Sequence, residues 1–264
     1  MILKSTVYPG KVHGQVLLLI HGMGSASTAW KPILNQLSEL TTVVTIDLPG
    51  HGETPMSKEQ LMDPQSLARA VFATMSSHGY ERFHVVGNSL GGWIALEMAA
   101  IKPEAIASVI GLAPAGLWLK PFNARYPGTA VARLMASSVK VISPMLLHFE
   151  WARKIGFESV SPLWRNLSYE TCLDATRAMA TSAGYYPAWD AMLKKRFTGQ
   201  IPNSVPLAVI FGVEDRTLPA ATCQERSLVP PHTQWIILND CGHAPMWDHP
   251  TLIVNEIIKT AGLS

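Results

Sequence analysis

Gly87-Asn88-Ser89-Leu90-Gly91 is a G-x-S-x-G pentapeptide set between an apolar run, Phe83 to Gly87, and a helical stretch that opens at Leu90. A serine hydroxyl is a weak nucleophile unless a base takes its proton and the chain holds it exposed. A strand that turns sharply into a helix provides that exposure, and the crowded backbone leaves room only for glycine on either side. The N–H groups and positive dipole end of the following helix would face the reacting oxygen. The bland alternative is a serine in an ordinary tight turn.

An activated serine needs a base. Of the nine histidines, His243 in Cys241-Gly242-His243-Ala244-Pro245 lies on a loop after the last apolar run. His13, His78, His84, His148 and His232 fall at edge, helical, strand-start or lid positions, His249 precedes Pro250 as a cap, and His21 and His51 read as loop organisers. The imidazole needs a carboxylate to set its tautomer. Asp215 follows the buried run Val209–Gly212, at the edge where ligands gather in such sheets, with Glu214 and Asp240 as second choices. The chain order is then Ser89, Asp215, His243. A developing oxyanion needs two donors. The backbone N–H groups of Leu90, after the nucleophile, and Met23, in His21-Gly22-Met23-Gly24, are the candidates.

Other patterns do not carry chemistry. Gly22-x-Gly24 lacks the third glycine of a dinucleotide motif, and Ser137-Ser138-Val139-Lys140 has no K-T-G companion. No H-E-x-x-H or Walker sequence occurs, so neither a metal nor any other cofactor is expected. The three cysteines form no C-x-x-C pair and fit small buried hydrophobes in a reducing, cytoplasmic setting.

These residues need a scaffold. Val16–Ile20, Thr42–Ile46, Phe83–Gly87 and Ile106–Leu112 alternate with helical stretches, among them one opened by Asp63 as N-cap and Pro64. That alternation predicts an α/β fold, a mostly parallel sheet covered by helices on both faces. From Ala115 to Gln200 the strand-like runs vanish and helices separated by Pro and Gly take over. The expected division is a core of residues 1–114 and 201–264 with a helical cap, 115–200, inserted between sheet strands. Trp118, Trp151, Trp164 and Trp189 lie in that insertion, and with Met246 they are candidates for a substrate pocket; the alternative is that they only pack the cap.

Composition sets the limits. With 48% hydrophobic and 15% charged residues the 264-residue chain can bury one large core. A net charge of +2, with Lys and Arg scattered, argues against nucleic acid as a partner. No apolar run is long enough for stable membrane insertion, and no signal peptide is expected. A monomer and a homodimer both remain open.

His21-Gly22-Met23-Gly24, Asp47-Leu48-Pro49-Gly50-His51-Gly52, Gly87-Asn88-Ser89-Leu90-Gly91-Gly92, the Asp215 turn and Gly242-His243, in this order, resemble the α/β-hydrolase superfamily from about Val16 to Ala261. The resemblance implies an eight-stranded sheet, a helical cap, and nucleophile, base, acid and oxyanion roles for the residues above. A serine at the elbow separates the chain from relatives with aspartate there. Asn88 with Gly91-Gly92 is similar to enzymes that hydrolyse carbon–carbon bonds in ring-cleavage products. Against that subgroup, Ser25-Ala26-Ser27 stands where Gly and Pro are usual, and Ala244 stands where a Trp is usual. The expected activity is therefore hydrolysis of a small hydrophobic ester through an acyl-enzyme. Alternatives are carbon–carbon hydrolysis, with Arg133, Arg153, Arg165 or Arg177 holding a substrate carboxylate, and a catalytically silent binding protein.

Overall fold

The computed structural model describes residues 1–11, 14–125 and 127–263; His13 lies outside them. The strands are β1 (Ser5–Tyr8), β2 (Val16–Ile20), β3 (Thr42–Ile46), β4 (Phe83–Asn88), β5 (Ile106–Leu112), β6 (Leu207–Gly212) and β7 (Gln234–Leu238). The core helices are α1 (Lys31–Ser38), α2 (Pro64–Ser77) and α3 (Leu90–Ile101) in the first half. Between β5 and β6 come α4 (Pro127–Val139), α5 (Ser143–Leu146), α6 (Glu150–Phe157), α7 (Tyr169–Thr181) and α8 (Tyr185–Met192). The chain closes with α9 (Ala220–Cys223), α10 (Pro245–Asp248) and α11 (Pro250–Ala261).

The sheet order is β1-β3-β2-β4-β5-β6-β7, parallel throughout except for β1 against β3. Among the described residues it has seven strands, not eight, because a single strand precedes the first parallel one. β2 shows why a buried parallel strand can be apolar end to end. Leu18 and Ile20 enter the core on one face, with α2 and α3, while Leu17 and Leu19 enter the other, with α1 and α11. Asp63 caps α2 by accepting the Ser66 N–H at 3.1 Å, with Pro64 as first helical residue.

Topology fixes where a site can form. β2 pairs with β3 on one side and β4 on the other, so the loops leaving β2 and β4 diverge from adjacent strand ends. The register Ile20↔Gly87 puts His21–Gly24 beside Ser89. The pairings Leu112↔Ile210 and Gly212↔Leu238 carry the loops after β6 and β7 to the same edge.

Candidate active site

Ser89 sits between β4 and α3 at φ 54° and ψ −117°, a strained backbone for a residue with a side chain. Three backbone bonds hold it. Its N–H donates to the Leu112 carbonyl (3.0 Å), and its carbonyl accepts from Trp93 (3.1 Å) and Ala115 (2.9 Å). The flanking glycines are steric necessities: a Cβ on Gly87 would lie 2.1 Å from the Gly91 carbonyl oxygen, and one on Gly91 2.1 Å from that of Ile20.

His243 and Asp215 form a buried pair, with Nδ1 2.9 Å from Oδ2. The other Asp215 oxygen accepts the N–H groups of Leu218 (2.7 Å) and Thr217 (2.9 Å). Burial opposes the charge on Asp215, but His243 and these two N–H groups together hold its carboxyl below the usual range. With Nδ1–H donated to the carboxylate, Nε2 is left as a proton acceptor. Asn88 joins this pair to the nucleophile turn, since its Nδ2 donates at 3.0 Å to both the Leu112 and His243 carbonyls. Of the second choices for the acid, Glu214 instead accepts the Cys241 N–H (3.0 Å), and Asp240 is exposed.

The first loop meets Ser89 closely, for a Cβ on Gly22 would lie 3.0 Å from Ser89 Cβ. His21 shapes it. Its Nε2 accepts the Leu48 N–H (3.0 Å), so Nδ1 carries the proton and donates to the Gly22 carbonyl (2.7 Å). Neither Met23 nor Leu90 donates its backbone N–H to another group among the described residues, and Leu90, as the first residue of α3, has no acceptor within the helix. Asp47 ties the neighbouring loop together by accepting from Ser27 (2.7 Å) and Glu53 (2.9 Å). His51 donates Nδ1–H to the Pro49 carbonyl (3.0 Å), while its buried Nε2 has no partner among the described residues. Burial, then the neighbouring His21, pushes its pKa down to about 3, so the ring is neutral.

The proposed pocket residues separate. Trp118 and Trp189 share an aromatic cluster with Phe122 and Trp93 where the insertion meets the core. Trp164 packs in a second cluster with Leu147, Phe157 and Leu167. Trp151 is 57% exposed, and Met246 is buried with α1 and α11. The side chains that reach the His21–Gly24 loop include Met179 and Tyr185, 2.7 Å and 2.9 Å from where a Gly24 Cβ would stand. No apolar periodicity singles these two out in the sequence.

A latch also joins the insertion to the His243 loop. The His243 N–H donates to the Val160 carbonyl (2.7 Å), and buried Asp248 accepts both the Gly242 N–H (2.8 Å) and the Ser161 hydroxyl. The six-residue spacing from Gly242 to Asp248 is visible in the sequence, but the partner eighty-seven residues away is not. Burial keeps the thiols of Cys172 and Cys241 well above the ordinary range, so they are inert. Cys223 is buried too, and no disulfide joins the three cysteines. The described residues hold no cluster of metal-ligating side chains.

A family model described as the alpha/beta hydrolase family matches residues 17–256. A pimeloyl-(acyl-carrier protein) methyl ester esterase of Aeromonas hydrophila subsp. hydrophila is 27% identical over 251 residues, covering 93% of this chain and 94% of that protein. A membrane phospholipase A described as a bacterial virulence factor shares the fold with a TM-score of 0.74 at 24% identity, over 99% of this chain and 84% of that one. A meta-cleavage product hydrolase from Pseudomonas fluorescens IP01 does so with a TM-score of 0.72 at 17% identity, over 98% and 93%.

Proposed function

This chain belongs to the alpha/beta hydrolase family, and on that premise we propose that it hydrolyses small hydrophobic carboxylic esters, with Ser89 as nucleophile, His243 as base and Asp215 as acid. One observation carries the reading. The buried Asp215–His243 pair is joined by the Asn88 amide to the turn that presents Ser89. In the reaction, Ser89 Oγ attacks the ester carbonyl and passes its proton to His243 Nε2. The tetrahedral oxyanion is met by the N–H groups of Met23 and Leu90. Collapse expels the alcohol, which takes the proton from His243, and leaves an acyl-serine. Water, deprotonated by His243, releases the acid and restores Ser89. The esterase named among the relatives supports this choice of substrate class. The insertion 115–200 acts as the cap, with Met23, Met179 and Tyr185 as the apolar wall beside the acyl chain. Three buried cysteines without a disulfide among them suit a cytoplasmic setting.

A second reading is hydrolysis of a carbon–carbon bond in a substrate that carries a carboxylate. Arg133 favours it, since its guanidinium lies 5.7 Å from the Tyr185 ring centroid and bonds the Met179 carbonyl (2.9 Å), next to the oxyanion loop. Fluorophosphonate labelling with a graded p-nitrophenyl ester series, alongside one ring-cleavage dienoate, tests both. The ester reading expects label on Ser89, loss of turnover of roughly a millionfold in Ser89→Ala, and rates that rise with chain length. Turnover of the dienoate alone would move the assignment to carbon–carbon hydrolysis. Absence of label and of turnover would leave a silent binding protein.

A further inference from the structure

The outer surface of the insertion differs from the rest of the molecule. Eleven Lys and Arg against five Asp and Glu lie between residues 115 and 200, a net +6 that leaves the remainder at −4. No Asp or Glu occurs between Glu104 and Glu150. In that acid-free stretch and just beyond it, large apolar side chains point to solvent. Val131, Leu134 and Met135 stand at i, i+3 and i+4 on α4, followed by Val141, Ile142, Met145, Phe149, Trp151 and Ile155. Val141 is 88% exposed, Leu134 68% and Met145 60%. Because α4, α5 and α6 each pack on α7, these side chains belong to outer faces. Phe149 and Trp151 stack at 6.3 Å. Exposed Lys140 and Lys154 adjoin Val141 and Ile155 in the chain, Lys154 lying 4.0 Å from Glu158 one turn on.

We infer that this face docks on an anionic lipid surface, with the apolar side chains entering the interface and the lysines meeting the headgroups. Exposed apolar side chains in this number mark an interaction site, and an apolar face flanked by lysine is the composition that lies in a membrane interface rather than across it. No helix among the described residues is long and apolar enough to cross a membrane. Charge selects the partner. A second copy on the same face would set lysine against lysine across a twofold axis. An acidic protein would be gripped by guanidinium forks, and here most of those are engaged. Arg125 holds Asp190, Arg165 holds Glu150, and Arg133 and Arg153 bond backbone carbonyls. The lysines act instead as point charges suited to a diffuse negative surface, each strengthening binding by roughly fivefold at low salt.

Co-sedimentation with vesicles tests this without requiring catalysis, so it stands apart from the hydrolase reading. The full chain should bind vesicles of phosphatidylcholine mixed with phosphatidylglycerol at least about tenfold more tightly than phosphatidylcholine alone, and less tightly as salt rises. Leu134→Glu with Val141→Glu should weaken binding by about tenfold or more, and Lys140→Glu should flatten the salt dependence. Both variants should keep the parent's unfolding midpoint and its turnover of a soluble ester. Absence of vesicle binding, equal binding to neutral vesicles, or variants that bind like the parent would each overturn the inference. So would a dimer that Val141→Glu dissociates, or an acidic protein that occupies the face in place of lipid.

Discussion

Protonation of His51 should be one of the main routes by which acid unfolds this protein. The ring is 1% exposed, donates once to the Pro49 carbonyl, and rests against Gly184, where an added Cβ would lie 2.9 Å from a ring carbon. Its pKa falls from an ordinary 6.5 to about 3. Between those values the unfolded chain binds a proton that the folded chain refuses, so stability is full above about pH 6.5 and falls as pH drops toward 3. About 3.5 pKa units at 1.36 kcal/mol each amount to on the order of 5 kcal/mol across that window. His51→Asn keeps an amide N–H where Nδ1 stood and removes the titration. Urea unfolding of both proteins, followed by tryptophan fluorescence from about pH 8 down to about pH 4, isolates the effect. Asp215, whose folded pKa is depressed, loses its contribution only below about pH 4. The parent's excess stability over the variant should shrink by roughly 1.4 kcal/mol per pH unit between about pH 6 and 4. Two curves that run parallel would refute the account.

Asp215→Asn should leave the fold in place, because its side chain can still accept from Thr217 and Leu218, yet it should reverse the tautomer preference at His243. Turnover should drop by about ten-thousandfold, and an unchanged kcat on a p-nitrophenyl ester would return the role to Glu214 or another carboxylate. Asp248→Ala leaves the Gly242 N–H and the Ser161 hydroxyl without their acceptor. It should cost about 1–3 kcal/mol by denaturant unfolding and lower kcat more than it raises KM. Parent values for both would show that the latch does not position His243.

Parallel strands buried on both faces leave a strong trace, which is why Val16–Ile20 is visible as an unbroken apolar run, and Thr42–Ile46 and Ile106–Leu112 as apolar runs interrupted only by small residues. β1 leaves almost none. Ser-Thr-Val-Tyr at the sheet edge is buried only in part, and it pairs antiparallel with one neighbour. Ser89, His243 and Asp215 are legible because each stands at a strand end where Gly or a tight turn forces a local signature. The side chains around the oxyanion loop are not legible in that way. Met179 and Tyr185 reach Gly24 through helix packing that no local spacing encodes, and the four tryptophans of the insertion scatter for the same reason. Asp248 was hidden differently, since a lone acid near a proline is read as a cap until its partner Ser161 is located in space.

The latch between Val160–Ser161 and the loop of His243 has a mechanical consequence. A second pin holds the insertion where the Gly184 N–H bonds the Gly50 carbonyl at 3.0 Å. Further ties run from Lys31 to Asp174 (2.6 Å), from the Leu119 N–H to the Thr222 carbonyl (2.9 Å) and from the Glu225 N–H to the Leu117 carbonyl (2.8 Å). Swinging the whole insertion away as one body would break these bonds together with the backbone support of the His243 loop. Insertion and loop therefore behave as one mechanical unit.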